Sequence, residues 1–398
     1  PNAGATYAWA GRVFGKNWGF FAGWALMVAA VIFMVSATIP AATSTLALVA
    51  PDQVDNTTWV AIVAGLWLTL VTLVVTRGIR HASIAQITFS ILEIGIVLAL
   101  IIGAFYQYWG KPLHAPSLSW LSLFAFTPET FATGALSAVF FYWGWDVTMN
   151  LAEETKGDGT PKPASKGAFW SMVNLILIYM ILMIVILIAL SDDEIQQGGS
   201  NILLAVGEKL FPKPWSYIAV LATMLSTVGT IETTMLQFTR SMFAMARDKV
   251  FHKRYAAVHP EWETPYVANL TIWGLGLLLL FASSFMPSVT SILEASVDAI
   301  GFQVCFYLSL AGFACAWYYR NKFKDGIWNG LTHIVFPGLA AAFMVFIGLY
   351  TAYTTQTAAP DPESPAIMVM GINLVLVVGF GAIAIGVFPL LWARLIRK

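Results

Sequence analysis

FATGALSAVFFYWGWDVTMNLAEETK, residues 131–156, is apolar enough in its first half to enter a bilayer, but its middle is not that of an ordinary membrane helix. Tyr142, Trp143, Gly144, Trp145 and Asp146 put two indoles, a glycine and a carboxylate near membrane mid-depth. A charge there costs about 2.5–3.5 kcal/mol or more, so it normally faces a cavity or a partner. Glycine beside it loosens the helix. The stretch therefore predicts a helix interrupted near Gly144, and the other apolar runs read as the frame that holds it.

That frame is long. Of 398 residues, 58% are hydrophobic and 11% charged, and mean hydropathy is +0.74. A soluble domain carries about 25% charged residues, so the composition gives an all-α polytopic membrane protein. The net charge of zero offers nothing to nucleic acid. Cys305 and Cys315 share one apolar run at no zinc spacing and read as buried thiols. No nucleotide-binding loop, metal-ligand cluster or nucleophile–base pair stands out. The sequence therefore argues against an enzyme and calls for no cofactor and no metal.

Ten apolar spans are predicted, near 19–49, 58–76, 82–107, 131–152, 168–190, 215–244, 266–286, 290–318, 330–353 and 366–392. With both chain ends on the cytoplasmic side, this count leaves only Lys111, Lys209 and Lys213 of the 21 basic residues in outer segments. Losing or adding a span would scramble that split. Ahead of the first span, Gly11, Gly15, Gly19 and Gly23 recur every four residues, a spacing that lets another helix backbone approach closely.

Three stretches resemble the amino acid–polyamine–organocation (APC) transporter superfamily: AGATYAW…FGKNWGFFAGW near the start, FFYWGWDVTMNLAEETK in the centre, and FTRSMFAMARDKVFHKRYAAVHPEWETPY after the sixth span. The resemblance implies an inverted five-helix-repeat fold with two peripheral C-terminal helices. Residues 1–110 would be the remainder of the first repeat, 131–320 the second repeat, and 329–398 the peripheral pair, in a single permease domain. The family has twelve helices, and this chain would begin just before the third. The first helix of relatives, which binds the substrate's carboxylate and amine, is expected to be missing, so the sequence reads as a fragment.

Five carboxylates, Glu93, Asp146, Glu232, Glu294 and Asp298, lie in or near the spans with no Lys or Arg expected deep in any span to neutralise them. Such acids stay protonated or await a cation. Asp146 is the leading candidate, for a substrate ammonium or for a proton; alternatively it caps the inner half-helix. Phe140, Phe141, Trp143 and Trp145 flank Gly144 and can seal a small-molecule pocket or simply pack. By resemblance, Phe140 lies near the gating tryptophan of some relatives, and the eighth helix, with Glu232, Ser226 and Thr227, lines the substrate and ion path. Those hydroxyls can equally bond their own helix. Glu93 reads as a proton site or a partner for the absent helices. Glu294 and Asp298, four apart on one helix face, are either an outer access point for cations or a face turned to outer water. Glu153 and Glu154 read as a salt-linked inner helix end beside Lys156.

These features predict a secondary active transporter of the cytoplasmic membrane, moving an amino acid or polyamine by alternating access. The unpaired acids favour cationic substrates, and proton coupling or exchange over sodium. The rivals are a neutral amino acid permease and a non-transporting sensor or channel-like protein on the same scaffold. The bilayer is the one partner besides substrate and ion.

Overall fold

The computed structural model describes residues 2–77, 79–155, 162–357 and 367–396. Lys156 and the Gly- and Pro-containing stretch after it, up to 161, lie outside the described residues. Among those described, nine helices are long and apolar enough to cross a membrane. The expected span 131–152 is not among the nine because it is interrupted.

The chain opens with α1 (Thr6–Phe14), followed directly by α2 (Lys16–Val49). Gly15 between them has φ +93°, a conformation that L side chains rarely adopt, and it turns α1 back along the start of α2. The glycine run was expected to receive another helix. It serves mainly this reversal: a Cβ at Gly19 would stand 2.7 Å from the Gly11 Cα and 2.7 Å from the Tyr7 carbonyl oxygen. Only Gly23 meets a different long helix, through Met245.

Next come α3 (Thr57–Thr76), α4 (Ile79–Tyr108), the interrupted pair α5 (Pro128–Phe141) and α6 (Val147–Asn150), and α7 (Lys162–Ala189). Two short helices, α8 (Asp192–Gly198) and α9 (Ile202–Leu210), lead to α10 (Ile218–Arg247), α11 (Tyr266–Ser283) and α12 (Val289–Tyr318). The chain closes with α13 (Ile327–Thr357) and α14 (Leu374–Ala393). The last expected span began at 366; the helix starts at Leu374 instead. Residues ahead of it form a small hairpin, β1 (Met368–Val369) antiparallel to β2 (Ile372–Asn373). Met370 and Gly371, both at positive φ, make its turn.

Burial ranks the helices. The most apolar windows of α2, α12 and α10 are 72%, 56% and 50% buried, against 17% for α4 and α7. These three are the central posts, because α2 packs on both α10 and α12. Phe20, Met34, Met235 and Phe238 fill the side shared with α3, α10 and α11. Leu26, Ile300 and Tyr307 fill the side shared with α12. The interrupted pair leans on this frame through Leu136, which packs against Phe302. Gly301 makes room for it, since a Cβ there would lie 2.8 Å from Leu136 Cγ.

Candidate functional site

The interruption begins from a well-made helix start. Thr127 and Thr130 cap the first turn of α5 reciprocally, side chain to backbone in both directions. The helix runs to Phe141 and then loses its ladder. Tyr142 and Trp143 donate to the carbonyls of Ala138 and Phe140, and Gly144 stands at φ +118° in open space. A right-handed helix cannot continue through that φ. One turn later Val147 donates to the Gly144 carbonyl and α6 starts. The break falls where the sequence predicted it.

Asp146 sits in this break, 4% exposed. Its side chain does not cap α6. The Tyr307 hydroxyl of α12 donates to Asp146 Oδ2 at 2.8 Å, wholly buried. The Gln237 amide of α10 lies within electrostatic reach of the same carboxylate, and the Trp143 indole within reach of the Tyr307 oxygen. Neither contact closes a hydrogen bond: Asp146 Oδ1, Gln237 Nε2 and Trp143 Nε1 are buried without one. Three elements thus converge on one carboxylate with neutral groups, and an acceptor and two donors remain unused there. Buried polar atoms in that condition are rare in native folds and mark places where a small rearrangement or a ligand completes the bonding.

The aromatic groups divide. Phe33 of α2 meets Trp143 edge-on at 5.5 Å and Phe140 at 5.9 Å, so these two line the side of the break that faces the central post. Phe141 points away and is more than half exposed. Its carbonyl accepts from the Tyr179 hydroxyl of α7 at 2.9 Å, and Tyr142 packs edge-on to the Tyr179 ring. Trp145 is half-buried, and its carbonyl accepts from Thr148.

The remaining acids scatter. Glu93 of α4 lies within electrostatic reach of the Ser226 hydroxyl of α10 and of Tyr179, on the Tyr179 flank of the break. Just below, Gln86 lies flat against Gly229, where a Cβ would come within 2.8 Å of its amide nitrogen. Thr227 is buried. Glu232 is 3% exposed on α10 and has no hydrogen bond or ion pair among the described residues. Glu294 is exposed and Asp298 half-buried beside it. Asp298 precedes Tyr307 by nine residues of α12, about 13 Å along the axis, so the pair stands apart from the Asp146 group.

Below the break, the chain is clamped. Arg240 of α10 forks onto Glu154 through Nε–Oε1 at 2.7 Å and Nη2–Oε2 at 3.0 Å. Arg247 forks onto Glu153 at 3.0 and 2.9 Å. The Ala3 amide donates to Glu153, and Asn150 donates both to the Ala3 carbonyl and to Ser241. Beside Arg247, the Tyr7 hydroxyl donates to Asp248. The Arg247 fork holds the Glu153 carboxyl below the usual glutamate range, its hydrogen bond being the largest cause. The salt-linked helix end expected at Glu153 and Glu154 is made with Arg247 and Arg240; Lys156 lies outside the described residues.

Sequence reading missed Tyr307, Gln237 and Phe33. The two polar ones had one available signal, a tyrosine and a glutamine inside otherwise apolar runs.

Discontinuous helices at mid-depth are how many secondary transporter folds build their binding sites. The family comparison agrees: residues 1–378 match the amino acid permease family, and the chain belongs to it. It is 24% identical to the serine/threonine exchanger SteT of Bacillus subtilis over 71% of this chain and 63% of that protein. It is also 24% identical to the low-affinity putrescine importer PlaP of Escherichia coli, over 70% of this chain and 61% of that one. The chain thus spans about three-fifths of the length of these two relatives. Among solved structures, a manganese transporter from Eremococcus coleocola superposes with a TM-score of 0.53 at 15% identity, covering 99% of this chain and 81% of that one. That likeness is one of fold.

Proposed function

We propose that the full-length protein is a secondary active transporter that moves an amino acid or polyamine across the cytoplasmic membrane by alternating access, with Asp146 at its centre. The observation that carries this reading is the buried carboxylate in the α5–α6 break, ringed by neutral groups with bonding capacity left over. A carboxylate there can bind an ammonium or exchange a proton. Relatives described as a putrescine importer and a serine/threonine exchanger support the substrate class and leave cationic and neutral substrates both open. We favour a cationic substrate and proton coupling or exchange, because no cation pairs with Glu93, Asp146 or Glu232 among the described residues. Sodium is the lesser candidate, since the hydroxyls of Ser226 and Thr227 make an incomplete sodium site. Trp143 and Phe140 would line the substrate cavity, and Glu232 would serve the ion path. Residues 1–110 would be the remainder of the first repeat and 131–320 the second, with both ends of this segment cytoplasmic.

The test is uptake of labelled putrescine, arginine and serine into proteoliposomes of the full-length protein. An imposed pH gradient without sodium should drive accumulation of at least one of them. Strict sodium dependence would reject the coupling, and no uptake or exchange of any of the three would reject the transporter reading.

A further inference from the structure

On the α12 side of α2, the end of α1, the inner ends of α2 and α12 and the start of α13 line a cleft of about 630 Å³. This lies within the ~300–1,000 Å³ of small-molecule sites. Its walls are Phe14, Trp18, Leu310, Phe313, Trp317 and Ile334, floored by Ala316, and its one charged member is Arg320. The cleft has a direction. Leu310 precedes Arg320 by ten residues on and just past α12, about 15 Å at 1.5 Å per residue. That is about half the ~30 Å hydrocarbon core, the depth of one leaflet. Trp18, Phe313 and Trp317 are exposed along it, so it is reached from the side that the bilayer occupies.

Arg240, Arg247, Lys209, Lys213 and Lys322 each hold a carboxylate. Arg320 is one of several basic side chains, Arg12, Lys16 and Lys324 among them, with no carboxylate partner among the described residues. One of its N–H groups donates to the Trp317 carbonyl at 3.0 Å, and the guanidinium lies over the Trp317 ring at 5.3 Å. These contacts fix the head at the cleft's mouth and leave the other donors of the fork unused. An apolar slot one leaflet deep, with a fixed and unneutralised cation at its interfacial end, complements one kind of molecule: an amphiphile with an anionic head and an aliphatic tail.

We propose that this cleft is a binding site for one anionic phospholipid of the cytoplasmic leaflet, its phosphate on Arg320 and an acyl chain along Trp317, Phe313 and Leu310. The site is independent of the transport reading. Its inner-leaflet placement follows from the basic residues at this end of the bundle, Arg12, Lys16, Arg320, Lys322 and Lys324.

The test is native mass spectrometry of the full-length protein in detergent, titrated with phosphatidylglycerol and with phosphatidylcholine of identical chains. The wild type should retain one phosphatidylglycerol at least tenfold more tightly than phosphatidylcholine. Arg320→Gln should abolish that preference, Ala316→Trp should block the slot and lose both lipids, and Lys324→Gln should behave as wild type. Inorganic phosphate should not displace the lipid; displacement at matched concentration would mean a simple anion site and overturn the proposal. Equal retention of the two lipids by wild type, or an intact preference in Arg320→Gln, would do the same. Should either variant fail to fold, wild type decides alone. Phosphatidylglycerol with a photoactivatable group in mid-chain should label peptides carrying Phe313–Trp317 or Phe14–Trp18, and label spread evenly over the outer helices would overturn the site.

Discussion

Asp146 meets only neutral groups, and that determines how substitutions around it should behave. Asn has nearly the same volume, and its amide oxygen can still accept from Tyr307, so Asp146→Asn should fold and insert. It cannot ionise, so labelled substrate accumulated by the full-length protein in vesicles should fall at least tenfold, the ~1.4 kcal/mol or more expected when a charged partner is lost. If binding survives while accumulation disappears, the residue handles protons; if both fall together, it holds the substrate. Tyr307→Phe asks the complementary question. It strips the carboxylate of its one closed hydrogen bond, worth about 1.5–3 kcal/mol for a charged acceptor, and should lower the detergent melting temperature where Asp146→Asn does not. A Tyr307→Phe protein as stable as wild type would mean that the bond contributes nothing to the fold. The acid was legible in the sequence because a carboxylate in an apolar run has few ordinary explanations. Tyr307 and Gln237 were not, because a membrane span uses such residues freely and only the packing of α12 and α10 against the break brings them to it.

Elements follow the same division between what hydropathy marks and what backbone geometry decides. Most of the long spans were readable to within a few residues, since length and apolarity alone define them, but the last begins eight residues later than expected, at Leu374. The break was readable too, where glycine and a carboxylate coincide. The α1–α2 reversal was not, because a glycine every four residues announces a close approach without naming the backbone that approaches. The hairpin before α14 was also missed, since IMVMGIN is apolar enough to pass for the start of a span and only the positive φ of Met370 and Gly371 turns it back. The glycines of the two breaks should therefore respond differently to alanine. Gly144→Ala meets open space and carries only the strain of its φ, about 1–3 kcal/mol, so the protein should assemble with a lowered melting temperature. Gly19→Ala forces a methyl to within 2.7 Å of backbone on α1, where no side chain can swing aside. It should cost more than Gly144→Ala and reduce the folded yield recovered by size exclusion; equal yields and melting temperatures for the two would contradict the tight reversal.

At the scale of the whole molecule, two arginine forks tie the lower end of the broken helix to α10 and, through Ala3, to the chain's first turn. They are not equivalent. Arg240 is 8% exposed, and Glu154→Gln leaves its buried guanidinium without a counter-charge, a loss of about 3–5 kcal/mol. Arg247 and Glu153 are 41% and 30% exposed, where an ion pair contributes about 0–1 kcal/mol. Glu154→Gln should thus be far more damaging to thermal stability than Glu153→Gln, although the sequence sets the two acids side by side. The exposed fork should instead register in pH. Its glutamate is held below the usual range in the folded protein, so its contribution is fully present above the unfolded value of about 4.3 and is lost as pH falls through the lower folded value. Melting temperatures of wild type and Glu153→Gln should be taken from pH 7 down to 3.5. Other carboxylates titrate in both proteins, so the difference between the curves carries the information. It should be constant above pH 5 and close as the medium becomes more acid. A difference that widens toward low pH would mean that Glu153 is better stabilised protonated, and that the fork to Arg247 does not hold the inner end of the break.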